Sequence, residues 1–319
     1  MDRKRFKIAA WVTAGTLLTA VAAFPQIEDH QGQGQTIVTI LPKHKGETPA
    51  SVSQTDLTLK INGKKSNITR WIPLRGSEGR VEVVVLIDGG ARSSLGNQMA
   101  DISHFIQGLP PNAKAAIAYM ENGRALMSGP LSADHAAVLR GLHLPGGSSA
   151  GISASPYFCL SNLAQHWPST DRGARHEVIM VTDGVDEYNM RYDPDDPYVL
   201  AAISDSVRAE MVVYAIYWRN QGRMDSTPEL ADAGQNLLIQ VADATGGKSY
   251  WQGYGDPVSF QSYLDDIGQR LQNQYELSFA SELTGKPDVE SMKLKFSRPD
   301  ASIEAPQQVF VRRTSLAVE

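Results

Sequence analysis

Two aspartates stand at the ends of apolar runs. Asp88 closes Val81-Glu82-Val83-Val84-Val85-Leu86-Ile87, and Asp183 closes Val178-Ile179-Met180-Val181-Thr182. Carboxylates brought together in this way can ligate a hard cation such as magnesium or calcium through their oxygens. Serine is the next chemical candidate, because Gly147-Ser148-Ser149-Ala150-Gly151 has the spacing of a nucleophile elbow. That chemistry needs a strand before the serine and, in chain order, an acid followed by a histidine. Pro145-Gly146 precedes this serine pair instead, and the seven histidines (His30, His44, His104, His135, His143, His166 and His176) all lie before Asp183. Gly246-Gly247-Lys248-Ser249 has the ending of a phosphate-binding loop. Its leading glycine falls on Ala242, however, and a helical pattern rather than a strand comes before it, so a helix C-cap is the better reading. Cys159 is the single cysteine; it excludes an intrachain disulfide and any multi-cysteine metal site, and its apolar neighbours mark it as a small buried hydrophobe.

The elements that must position these groups are legible from periodicity. A continuous β-branched run reads as a strand buried on both faces, as in a parallel sheet, and ligands bind beyond the carboxyl ends of such strands. Asp88 and Asp183 therefore converge on one surface. From residue 81 to about 268, strands alternate with helical patterns at 96–109, 132–142, 155–167, 198–210, 237–245 and 260–274. This rhythm predicts an α/β fold with a doubly wound, mainly parallel sheet. Before it, residues 36–41 and 56–61 read as strands, and Asn62-Gly63 is a hairpin turn leading into 68–72. After it come three further strand patterns at 275–279, 292–296 and 309–311, which are expected to join the N-terminal strands in a small antiparallel β unit. The resulting division is 1–23 leader, 24–35 linker, 36–78 small β unit, 79–274 α/β domain and 275–319 β tail.

Residues 2–7 are basic, residues 8–23 are apolar, and Ala20-Val21-Ala22 offers a cleavage pattern before Pro25. The segment reads as a secretory signal, with a retained N-terminal anchor as the other reading. Either one places the folded part outside the cytoplasm, periplasmic or secreted, with any membrane association confined to that anchor. The 319 residues carry 30 basic and 35 acidic side chains, a net charge of −5, so no global field favours nucleic acid.

The order of these features, together with Val241-Ala242-Asp243-Ala244-Thr245-Gly246-Gly247 and Gln274-Tyr275-Glu276-Leu277, resembles the von Willebrand factor type A (vWA) domain, and in particular secreted bacterial vWA-related proteins of the acidobacterial type. The resemblance implies a metal-ion-dependent adhesion site (MIDAS) built from an Asp-x-Ser-x-Ser run, a threonine and a second aspartate. Carried onto this chain, the aspartates are Asp88 and Asp183, and Ser148 stands for the threonine. The two serines fall on Gly90 and Arg92, neither of which can ligate a cation. The site is thus degenerate, and three outcomes are open. Arg92 can fold inward and neutralise both aspartates. A weak magnesium or calcium site can survive on Asp88, Ser148 and Asp183, helped by Ser93 or Ser94. Alternatively the loop is purely structural. The expectation is a metal-free site with no cofactor.

The acidic stretch from Asp183 through Asp186-Glu187 to Asp193-Pro194-Asp195-Asp196 reads as a solvated loop, with a second calcium patch as the lesser alternative. The function expected is non-enzymatic: an extracytoplasmic binding or scaffold module that meets an unidentified protein partner through Asp88, Gly90, Arg92, Ser93, Ser148, Ser149, Asp183 and Asp186. Tyr188, Tyr192 and Tyr198 are candidate anchors nearby. The alternative is an envelope hydrolase with its serine nucleophile in the 147–151 loop.

Overall fold

The computed structural model describes residues 31–44, 51–76, 79–146, 155–220, 227–283 and 286–314. The leader at 1–23 and the serine pair Ser148 and Ser149 lie outside the described residues. None of the described helices is long and apolar enough to cross a membrane.

The described residues open with β1 (Gln31–Pro42), followed by β2 (Leu57–Ile61) and β3 (Lys64–Pro73). Asn62 and Gly63 join the last two strands with φ of 48° and 75°, the paired left-handed conformation that matches the twist of a two-residue hairpin. There follow β4 (Val81–Asp88), α1 (Met99–Gln107), β5 (Lys114–Glu121), β6 (Arg124–Met127), α2 (His135–Leu139), α3 (Pro156–Gln165), β7 (Arg175–Thr182), α4 (Pro197–Arg208), β8 (Met211–Tyr217), α5 (Pro228–Thr245), β9 (Ser249–Tyr250) and α6 (Gln261–Leu271). The chain then returns as β10 (Gln274–Glu282), β11 (Asp288–Phe296), β12 (Ala301–Glu304) and β13 (Gln308–Arg313).

One sheet has the order β6-β5-β4-β7-β8-β9. Every residue of β4 and β8 is buried, because helices cover both faces of this sheet. Val81, Val83, Val85 and Ile87 pack with α1 and α6, while Val84 and Leu86 pack with α3, α4 and α5. Local chemistry sets the helix ends. Asp196 accepts hydrogen bonds from the backbone N–H groups of Tyr198 and Val199 at the start of α4, with Pro197 in the first turn. Thr227 caps α5, and Gly246, at φ 83°, ends it. The start of α2 differs from its sequence reading. The helical pattern read from 132 begins only at His135, where Asp134 caps by accepting from Ala137 N–H, while Ser132 is held in a backbone bridge to Ala115.

The expectation of a doubly wound, mainly parallel sheet with a small antiparallel appendage is overturned by the other seven strands. They form an antiparallel sheet of order β10-β3-β2-β11-β13-β1-β12, and a further pairing of β10 with β1 closes six of them into a barrel. The remaining sheet is itself mixed, since β6 runs antiparallel to β5. Four strand pairings are parallel and eight are antiparallel. Closure has a physical cause, as it removes the edges that an open sheet of short strands would expose. The barrel also has its own core, including Val38, Ile40, Leu59, Ile61, Leu277, Phe279 and Val311. Its first strand begins at Gln31, so residues 31–35, read as linker, are strand. Gly32 and Gly34 are buried there against Val311 and Phe279, where a side chain would not fit.

Candidate functional site

The carboxyl ends of β4 and β7 bring Asp88 and Asp183 to one surface, as the two apolar runs require. Both are buried. Asp88 accepts a hydrogen bond from Gly90 N–H at 2.8 Å through Oδ1 and another from Thr182 Oγ1 at 2.7 Å through Oδ2. The Thr182 hydroxyl accepts in turn from Gly184 N–H at 3.2 Å. Asp183 Oδ1 accepts from Val185 N–H at 3.1 Å, and Tyr157 donates its hydroxyl to Gly184 O at 2.6 Å. The two aspartates are thereby built into the turns that follow their strands.

The positions corresponding to the two serines do not form an oxygen cage. A Cβ at Gly90 would lie 2.2 Å from Nδ2 of Asn220, which is itself buried, so the space a serine needs is filled by another residue. Arg92 turns toward the loop after β8 rather than toward the carboxylates. Its Nε donates to Asn220 O at 3.4 Å, its backbone N–H donates to Arg219 O at 3.1 Å, and its carbonyl accepts from Trp218 Nε1 at 3.4 Å. Among the described residues no ion pair joins Arg92 to Asp88 or Asp183. Ser93 and Ser94 are exposed on a 3₁₀ turn, Ser93–Gln98. The described residues also hold no group of three or more histidine, cysteine or acidic side chains placed to ligate a metal. A cation of the kind the vWA resemblance implies would need donors that Gly90 and Arg92 do not have, so the described residues do not fit it.

Asp186 completes the surface from the loop after β7. Its Oδ1 accepts from Tyr188 N–H at 2.9 Å, while Oδ2 is buried with no hydrogen-bond partner. Burial raises this carboxyl above the ordinary aspartate range, and the neighbouring Asp196 adds to the effect. The loop that follows carries the aromatics. Phe158 meets Tyr188 and Tyr198 edge-on at 5.1 and 4.9 Å, and Tyr188 lies 5.3 Å from Tyr198. Tyr188, Met190, Tyr192, Tyr198 and Leu200 are all exposed although large and apolar. The acids among them have structural duties, with Asp193 turning the chain at Asp195 and Asp196 capping α4.

Thr182 and Asn220 were missed from sequence. Thr182 had a signal, since it directly precedes Asp183. Asn220 follows the apolar run of β8 by only three residues, a place where the same end-of-strand logic applies. The other chemical candidates resolve as packing. His143 stacks on Tyr119 at 4.3 Å, and His176 stacks on Trp167 at 4.4 Å. Cys159 is buried in α3, and desolvation, aided by the nearby Asp88 charge, pushes its thiol up to about 12. Gly247 enters β9 with its Cα against Val213 O, where a Cβ would sit 1.9 Å away, which suits a helix exit and not a phosphate cradle.

No protein-family model and no curated protein matches the chain. Solved structures with a similar arrangement include an aerotolerance-related membrane protein from Bacteroides fragilis, at 17% identity and a TM-score of 0.43, covering 60% of this chain and 98% of that one. A conserved hypothetical protein, BatB, from Bacteroides thetaiotaomicron aligns at 14% identity and TM-score 0.45, over 60% and 97% of the two chains. Proximal thread matrix protein 1 from the mussel byssus, with a zinc-occupied MIDAS motif, aligns at 12% identity and TM-score 0.42, over 64% of this chain and 48% of that one. Likenesses of this strength bear on neither function nor partner.

Proposed function

We propose that the chain is a non-enzymatic, vWA-related module that holds a protein partner outside the cytoplasm, without a standard metal site and without a cofactor. The basic and apolar residues 2–23 would deliver it there. The contact face is the surface at the carboxyl ends of β4, β7 and β8, with Asp88, Asp183 and Asp186 as its buried frame and Arg92 and Ser93 on its rim.

One observation carries this reading. Five large apolar side chains, Tyr188, Met190, Tyr192, Tyr198 and Leu200, are exposed within a single loop and the first turn of α4. Scattered exposed apolar residues are ordinary, but a cluster of this kind beside a polar rim marks a contact surface. Tyrosine and methionine are enriched in such contacts, and Tyr188 and Tyr198 are already braced against Phe158.

The test is capture of envelope proteins by the purified chain, comparing wild type with Tyr188→Ala/Tyr192→Ala and with Arg92→Glu. Loss of two anchors should weaken the retained partner by about tenfold or more. Undiminished capture of the same partner by both variants would place the contact elsewhere.

A further inference from the structure

The end of the molecule opposite that face gathers several arginines. A cavity of about 360 Å³ lies where the start of β7, the end of α4 and the barrel strands β1 and β13 meet. This is within the size range of small-molecule sites. Two carboxylates, Glu210 and Glu276 (the latter paired with Arg70), and five arginines line it: Arg80, Arg172, Arg175, Arg208 and Arg312. Three of the arginines are neutralised by fixed partners. Arg80 grips both oxygens of Asp171 at 2.9 Å, Arg208 pairs with Asp288 at 2.6 Å, and Arg312 pairs with Glu210.

Two arginines are not neutralised in this way. Arg172 is exposed at the mouth and has no ion pair among the described residues. Arg175 is only 8% exposed, yet its Nε has no hydrogen-bond partner and its Nη1 reaches only Leu74 O, at 3.4 Å. A buried guanidinium with an unused donor is destabilising unless an acceptor meets it. The nearby acid, Glu177, is a weak counter-charge, since burial pushes its carboxyl up to about 7.

We propose that this cavity binds a small phosphate-bearing molecule, with Arg172 and Arg175 making the direct contacts. Guanidinium groups match the planar edges of oxyanions and keep their charge at any physiological pH. A carboxylate presents one edge, which a single fork saturates. A phosphate presents three terminal oxygens and up to two charges, and so uses forks arriving from separate positions.

The experiment is titration of the full chain with inorganic phosphate, followed by thermal unfolding and by isothermal calorimetry, against sodium chloride at matched ionic strength and against acetate. Phosphate should raise the melting temperature beyond the chloride control, while acetate should not. Arg172→Ala, an exposed position, should fold normally and weaken phosphate binding about tenfold. Arg175→Lys, which keeps the charge but loses the fork, should also weaken it. The proposal fails if phosphate does no more than chloride, if acetate equals phosphate, or if Arg172→Ala binds phosphate as wild type does. Should Arg175→Lys not fold, the Arg172→Ala result decides alone.

Discussion

A side chain at position 90 would meet the amide of Asn220, which is buried. Gly90→Ser therefore overpacks the turn after β4 and should lower stability by about 1–3 kcal/mol, measured by urea unfolding. A neutral result would mean that Asn220 is not fixed in this turn. The same crowding bears on metal binding. Magnesium, calcium or manganese should leave the melting temperature of the wild type unchanged relative to chelator, and Gly90→Ser/Arg92→Ser should behave in the same way while Asn220 is in place. A concentration-dependent rise in either protein would show a native-state cation site and overturn the metal-free reading. Cys159 offers a third check at this scale. Its raised thiol pKa and full burial keep it in the unreactive thiol form, so a thiol reagent should label it only under denaturing conditions. Rapid labelling of the folded chain would contradict the packing described for α3.

Among the elements, β1 shows most clearly what packing adds to pattern. Its opening, Gln31-Gly32-Gln33-Gly34-Gln35, has no apolar alternation, but its backbone pairs with β10 from Gln31↔Glu282 onward. A Cβ at Gly34 would lie 2.6 Å from both Phe279 Cζ and Phe310 O, so Gly34→Val should cost more than about 3 kcal/mol and open the barrel at this strand. Wild-type stability in that variant, by urea unfolding, would show that the barrel is not closed through β1. Strands β4, β7 and β8 could be read from sequence because each is a continuous β-branched run, and the positions of Asp88 and Asp183 followed from them. Helix α5 was legible only from residue 237, although it starts at Pro228, because its first turns are built from alanine, aspartate and glycine. The four-residue strands β6 and β12 were too short to leave a periodic signal. Barrel closure was not legible either, since it depends on pairing between opposite ends of the chain and no local window contains that information. The position of Asn220 just after β8 was open to the same end-of-strand reading, but its contact with residue 90 was not. Its role comes from the space beside Gly90, which exists only once β8 has been laid next to β7.

At the scale of the whole molecule, the barrel and the mixed sheet are joined along a polar seam. Glu210 receives both Gln35 and Arg312, Arg270 pairs with Glu304, and Gln307 N–H donates to Asp243 O. Glu177 is fully buried on β7, beside Arg175, Tyr214 and Gln274, the first residue of β10. Burial raises its carboxyl to about 7, although Arg175, Gln274 and Tyr214 pull it part of the way back. In the unfolded chain the same group titrates near 4.5. Below that value it is protonated in both states and carries no penalty. As pH rises from 4.5 toward 7 the unfolded chain releases the proton first, so stability falls, and above 7 the loss is complete and constant. Glu210, also raised by burial, acts in the same direction, whereas His176, lowered by burial, loses stability as pH falls below 6.5. Glu177→Gln isolates one contribution from the others, because it keeps the shape and removes the charge. The stability of wild type relative to Glu177→Gln should therefore decline between about pH 4.5 and 7, by up to about 3 kcal/mol, and stay flat above that range. Urea unfolding of both proteins at half-unit pH intervals measures it. Parallel curves across the window would mean that the Glu177 carboxyl is solvated in the folded chain, and that the barrel does not seal the base of the mixed sheet.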